Sequence, residues 1–284
     1  MNSLFQCGRF ELDLSRPRVM GIVNVTPDSF SDGGDYAQLD AAVAHARRLV
    51  ADGADMLDIG GESTRPGAEP VAEAEERRRV VPLVEALVSL NVPLSVDTCK
   101  PVVMRAALEA GADMVNDIMA LQAPGAVAAV QAFPHSGICI MHMQGEPRTM
   151  QAAPVYANVV GDIQRFLQQR VDALLEAGVD SRRIVLDPGF GFGKTVEQNY
   201  QLLRELPRLV GIGLPVLAGL SRKSMIGALT GRAPAERVAG SVAAALAAVA
   251  RGASIVRVHD VADTVDALKV WRAVESSSIH QEHA

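Results

Sequence analysis

Cysteine is scarce: three residues in 284, Cys7, Cys99 and Cys139, with no CxxC pair and no Cys/His metal spacing. A disulfide-stapled scaffold and a structural zinc site are thereby disfavoured, and reduced thiols are expected. Basic residues do not predominate either, since Lys and Arg number 27 against 33 Asp and Glu, for a net charge of -6. The field of the whole molecule repels nucleic acid and anionic membrane, so neither is expected as a partner and any anionic ligand must find a local cationic cluster. Long apolar runs are missing too. The longest strongly apolar, uncharged stretch, Val238 to Ala250, is mostly alanine and falls short of the roughly 20 residues of a membrane span. Residues 1 to 20 carry Arg9, Glu11, Asp13, Arg16 and Arg18 with no apolar core between them, so no secretory signal is read there and a cytoplasmic setting is expected. No Pro/Gly/Ser-rich linker and no internal repeat divides the chain.

Present instead is the composition of a folded protein, 49% hydrophobic and 21% charged. Eight short apolar runs of strand type recur: Val19 to Asn24, Met56 to Gly60, Pro93 to Asp97, Asp113 to Asn116, Gly137 to His142, Ile184 to Asp187, Pro215 to Gly219 and Ser254 to His259. Their starts lie 20 to 47 residues apart, enough for a crossover helix each time, and continuous apolar strands imply a parallel sheet covered on both faces. Between them 41–52, 73–89, 101–110, 158–177, 196–206 and 235–251 read as helices at 3.6 spacing, with Gly111, Gly178 and Gly252 at C-cap positions. The expected fold is a single-domain (β/α)8 TIM barrel over 1–284, with its core at about 19–272, a lead-in at 1–18 and a frayed tail at 276–284.

In such a barrel the active site gathers at the C-terminal strand ends, and those ends are polar. They carry Asn24, the stretch Gly60-Gly-Glu-Ser-Thr-Arg-Pro-Gly67, Asp97, Asn116 and Asp117, His142, Asp187, Ser221-Arg-Lys-Ser224 and Arg257-Val-His259. One Asp at a strand–helix junction is more often a helix N-cap than a functional group, so Asp97 alone does not make a site; polar groups at every strand end point to one. Arg257 and His259, two apart on a strand, share a face. With Arg222, Lys223 and Arg65 they read either as a cationic cluster for phosphate or as unrelated solvated charges. Gly189-Phe-Gly-Phe-Gly-Lys-Thr195 is not a P-loop, because Pro188 stands where that motif needs glycine, and it lacks G-x-G-x-x-G spacing. Its glycines are expected to let the backbone and Phe192 approach a flat ligand held by Asp187.

Taken together, the motifs resemble one family. Asn24 with Thr26-Pro-Asp-Ser-Phe-Ser-Asp-Gly-Gly34, Gly61-Glu-Ser-Thr-Arg-Pro-Gly67, Ser95-Val-Asp-Thr-x-Lys100, Asn116-Asp-Ile118, Met141-His-Met-Gln144, Asp187 to Thr195, Ser221-Arg-Lys-Ser224 and Arg257-Val-His259 are similar to those of the dihydropteroate synthases, in the family's order and over about 19–272. The resemblance implies a transferase of folate biosynthesis. It would join 6-hydroxymethyl-7,8-dihydropterin diphosphate to p-aminobenzoate, release pyrophosphate, act as a homodimer with Mg2+, and be inhibited by sulfonamides. It implies pterin binding by Asp97, Asn116, Asp187, Lys223 and Met141. Diphosphate falls to Asn24, Thr64, Arg65, Arg257 and His259, with Asn24 on the metal, and p-aminobenzoate to Phe30, Thr64, Pro66, Phe192 and Ser221. Asp97, Lys223, Arg257 and His259 would carry catalysis. Phe30 also reads as a loop anchor. A methyltetrahydrofolate-dependent methyltransferase, a non-catalytic pterin-binding subunit and a Schiff-base aldolase on Lys223 are the alternatives.

Overall fold

Runs such as Gly137–Met141, apolar on both faces and buried at every position, can leave neither side in water, so helices must cover one and the barrel interior the other. The computed structural model describes residues 4–25, 35–63, 67–145, 150 and 154–275. A hairpin of β1 (Leu4–Cys7) and β2 (Phe10–Asp13) comes first, then β3 (Arg18–Asn24), α1 (Asp35–Ala51), β4 (Met56–Gly60), α2 (Glu73–Leu87), β5 (Leu94–Asp97) and α3 (Pro101–Glu109). The chain continues through β6 (Met114–Asp117), α4 (Ala126–Gln131), β7 (Gly137–Met141), α5 (Val159–Glu176), β8 (Ile184–Asp187), α6 (Val196–Arg204) and α7 (Pro207–Val210). It ends with β9 (Leu217–Ala218), α8 (Ser224–Thr230), α9 (Val238–Val249), β10 (Ile255–Val258) and α10 (Val261–Glu275).

The eight parallel strands run β8-β7-β6-β5-β4-β3-β10-β9. A parallel bridge between Leu186 and Val216, with Leu186 N–H donating to the Pro215 carbonyl at 2.9 Å, joins β8 to β9 and closes the barrel. Alternation sorts each strand: on β5, Leu94 and Val96 pack outward in the main core, while Asp97 enters the barrel mouth.

The lead-in expected at 1–18 carries the β1–β2 hairpin. Phe5 and Cys7 on β1 pack against Met20, Met56, Met114, Cys139, Val185, Leu217 and Ile255, so the hairpin stoppers the N-terminal end of the barrel. Helix 235–251 is shortened to Val238–Val249 behind a separate 3-10 turn at Pro234–Glu236, and the seventh run contracts to two ladder residues. Gly111, Gly178 and Gly252 take the left-handed backbone of C-caps, at φ 109°, 85° and 95°. The expected frayed tail lies outside the described residues.

Candidate active site

The strand ends meet around one open cleft of about 480 Å3, lined by Ile22, Asp97, Asn116, Ile118, Met141, Asp187, Phe192, Gly219, Ser221, Lys223, Arg257 and His259. Most of the sequence candidates are thus brought together. Asn24 stands at the rim beside Gly60, where an added Cβ would lie 3.2 Å from its Oδ1. Phe30, Thr64, Arg65 and Pro66 lie outside the described residues.

The cleft floor is an ionic lattice. Arg257 donates through Nε to Asp58 Oδ2 at 2.5 Å and through Nη2 to Asp97 Oδ2 at 2.9 Å, and Asn116 Nδ2 donates to Asp58 Oδ2 at 3.1 Å. Asp58 is completely buried. Sequence reading missed it because it sits mid-strand rather than at a strand end; the available signal was a charge inside the run Met-Leu-Asp-Ile-Gly, which a core tolerates only when paired. Burial pushes the Asp97 carboxyl up to about 7 against the pull of Arg257, with Asp58, Glu76 and Asp117 adding to the rise. It also raises Asp187, with Lys223, the Gly189 N–H and Arg257 working the other way. Although burial opposes its charge, Arg257 is held more firmly protonated by Asp58 and Asp97.

Above the floor, Lys223 donates to the Phe190 carbonyl, and its Nζ lies 4.5 Å from the centroid of the Phe192 ring. Burial brings this amine down to about 8; Asp187 resists and Arg257 adds to the fall. Ser221 Oγ and His259 Nδ1 are 3.0 Å apart, and the His259 N–H donates to Ser221 Oγ at 3.2 Å.

One expectation is corrected here. Arg222, at φ 58°, is turned from the cleft into an ion pair with Asp260, so it does not join the cationic cluster. The glycines of 189–193 also let this loop pack closely within the protein. A Cβ at Gly189 would collide with the His142 carbonyl oxygen, one at Gly193 with that of Gln144, and one at Gly191 would stand 3.0 Å from Lys223 Cδ. The loop they form is cross-tied by Lys194, a buried amine that donates to the carbonyls of Gly189 at 2.7 Å and Phe192 at 2.9 Å. Lys194 is a second residue that strand-end reasoning did not reach. Phe192 does face the cleft, as expected.

Two carboxylates and an amide confronting a lysine, within a closed barrel, suit a flat ring with N–H donors on one edge and acceptors on another. Chemistry and fold together define a ring-binding barrel enzyme, and the family model described as pterin binding enzyme matches residues 20–259. A dihydropteroate synthase of Neisseria meningitidis serogroup B is 54% identical over 277 residues, covering 95% of this chain and 97% of that protein. The solved Xanthomonas albilineans dihydropteroate synthase with 4-aminobenzoic acid superposes at TM-score 0.92 with 57% identity, over 98% of this chain and all of that one. The Burkholderia cenocepacia enzyme complexed with 7,8-dihydropteroate gives TM-score 0.88 with 58% identity, over 96% of each chain. The chain belongs to the pterin-binding enzyme family and, within it, to the dihydropteroate synthases.

Proposed function

We propose that this cleft joins 6-hydroxymethyl-7,8-dihydropterin diphosphate to p-aminobenzoate. The C–O bond to diphosphate breaks, a C–N bond forms from the methylene carbon to the arylamine, and the amine loses one proton, giving 7,8-dihydropteroate and pyrophosphate. The observation that carries this reading is the set of acceptors Asp97, Asn116 and Asp187 opposite Lys223 in one cleft. They offer partners to ring and amino N–H groups, while Lys223 meets the ring acceptors. Asp97, once ionised, favours the positive charge that grows on the carbon as the leaving group departs. The arylamine is already neutral near pH 7, so the residues act by position and charge without a strong base or a covalent intermediate. Arg257 and His259 face the diphosphate, with Arg65 assigned by resemblance. Phe192 and Ser221, with Phe30, Thr64 and Pro66 by resemblance, take the arylamine, whose place a sulfonamide contests.

Magnesium fits the chemistry of the rim. Among the described residues no cluster of three or more acidic, His or Cys side chains is built to hold a metal, which suits an ion that keeps its waters and is gripped mainly by substrate phosphates. Asn24, its Oδ1 left clear by the absent Cβ of Gly60, would contribute the protein oxygen. Bound there, the ion would neutralise charge on the leaving diphosphate.

A homodimer is proposed from the apolar exposure of α10, where Val270 and Val274 lie one turn apart and are 67% and 76% exposed. A cytoplasmic setting accords with the three unpaired thiols; among the described residues no helix is long and apolar enough to cross a membrane.

The test is pyrophosphate release with Mg2+ and the pterin diphosphate, in the presence and absence of p-aminobenzoate. Release that requires both substrates, with 7,8-dihydropteroate formed in equal amount, is expected. No release, or release indifferent to p-aminobenzoate, overturns the reading.

A further inference from the structure

Asp58 touches no open part of the cleft, yet its Oδ2 accepts from two groups that do: Arg257 Nε at 2.5 Å and Asn116 Nδ2 at 3.1 Å. These donors stand on β10 and β6, so one carboxylate on β4 ties together residues from separate strands of the barrel mouth. Its other oxygen, Oδ1, is buried with no hydrogen-bond partner. The bonding of this side chain is therefore directed wholly at Arg257 and Asn116.

That arrangement fixes the polarity of the amide. Turning Asn116 over would set its carbonyl oxygen against a carboxylate oxygen with no proton between them. With Nδ2 committed to Asp58, the Asn116 oxygen is left as the amide's free end, an acceptor. Arg257 is constrained in the same way, its guanidinium pinned at Nε by Asp58 and at Nη2 by Asp97, 2.9 Å away. A ring edge is then met at Asn116 by an acceptor, while the Arg257 guanidinium directs Nε and Nη2 to the carboxylates of Asp58 and Asp97.

We infer that Asp58 is a positioning residue for ring recognition: without touching the ring, it sets Asn116 as an acceptor and holds Arg257 in register beside it. The inference rests on the reading that a pterin ring occupies the cleft.

The experiment compares the wild type with Asp58→Ala, Asp58→Asn and Ser95→Ala. Ser95 lies opposite Asp58 in the sheet register, and its buried hydroxyl is likewise unpartnered, so Ser95→Ala controls for disturbance of the same layer. Three quantities are read: calorimetric binding of 6-hydroxymethylpterin, kcat and KM for each substrate, and the side-chain amide signals of Asn116 in a 15N spectrum. Carboxylates that orient metal-binding histidines are typically worth 10 to 100-fold in affinity. By analogy, Asp58→Ala should raise the pterin Kd and the KM for the pterin diphosphate about 10 to 100-fold. The KM for p-aminobenzoate should stay within about twofold, and Asp58→Asn, which keeps one acceptor, should fall between. The Asn116 amide protons should exchange slowly in the wild type and in Ser95→Ala, and rapidly in Asp58→Ala.

A wild type that fails to bind the pterin overturns the proposed function, and the Asn116 signals then judge Asp58 independently. Pterin affinity unchanged in Asp58→Ala, equal losses for both substrates, or equal losses in Ser95→Ala overturn the inference. Should Asp58→Ala not fold, the isosteric Asp58→Asn and the wild-type spectrum decide, and freely exchanging Asn116 protons in the wild type overturn the inference.

Discussion

Single residues in this cleft are tuned by burial against fixed partners, and their titration has a definite sign. Asp97, raised to about 7, takes up a proton as pH falls through that value, and the charge proposed to face the reacting carbon is lost. Lys223, lowered to about 8, gives up its proton as pH rises, and a ring donor goes with it. The profile of kcat/KM should therefore be a narrow bell between about 7 and 8, and a flat profile from pH 6 to 9 would contradict it. The same shift has a stability consequence of opposite sense. Since the folded state holds the Asp97 proton more tightly than the unfolded chain, this group's contribution is fully present near pH 4 and declines as pH rises toward 7. Asp187 makes a second prediction. In Asp187→Asn an N–H is turned toward ring N–H groups, at about 1 to 3 kcal/mol for the unpaired donor. Titration calorimetry should show pterin binding weakened far more than p-aminobenzoate binding in the ternary complex; equal losses would place Asp187 outside the ring pocket.

Among the elements, the turn after β4 is held by charges that pack beneath it. Lys100, just before α3, pairs with both Glu62 of the turn and Glu76 of α2. Glu62 also accepts from the Val71 N–H at 3.2 Å, and Arg79 donates to the Gly61 carbonyl at 3.0 Å. A Cβ on Gly61 would come within 2.7 Å of Val80 Cγ2, so the turn lies directly on α2. Glu76 is fully buried, and removing one partner of such a pair strands the other charge, at roughly 3 to 5 kcal/mol. Urea unfolding of Lys100→Met should show a loss of that size, part of which Glu76→Gln restores in the double variant. Additive losses would mean that the pair is not coupled. The glutamate and lysine of this device stand in motifs that the sequence displays, but nothing in the motifs says that the two touch.

At the scale of the whole molecule, the closed barrel sheet has no free edge and its outer face is covered by helices, so a helix face is the expected surface for association. Val270 and Val274 on α10 are the exposed apolar pair. Sedimentation of the wild type should give a dimer and that of Val270→Asp/Val274→Asp a monomer with the fold retained; a wild-type monomer, or an unaffected dimer, would exclude this face.

What the sequence by itself determined is local in origin. Strand-type runs, helical periodicity, capping glycines and the polar residues closing each run depend on neighbours a few positions away, and from them follow the barrel, its polar end, and Asp97, Asn116, Asp187, Ser221, Lys223, Arg257 and His259 in one cleft. The terminal helix α10 was not among the helices read from the sequence and emerged only in the structure, where Val261 and Leu268 on one face are buried. The tertiary structure alone decided partners. Arg257 meets Asp58 across 199 residues of chain, Arg222 is drawn off to Asp260, and the first strands fold under the barrel as a stopper. A charge in a list of residues has no assigned counter-charge. Only when the strands close side by side do distance and burial select one, because the Coulomb energy falls with separation and rises as water is excluded.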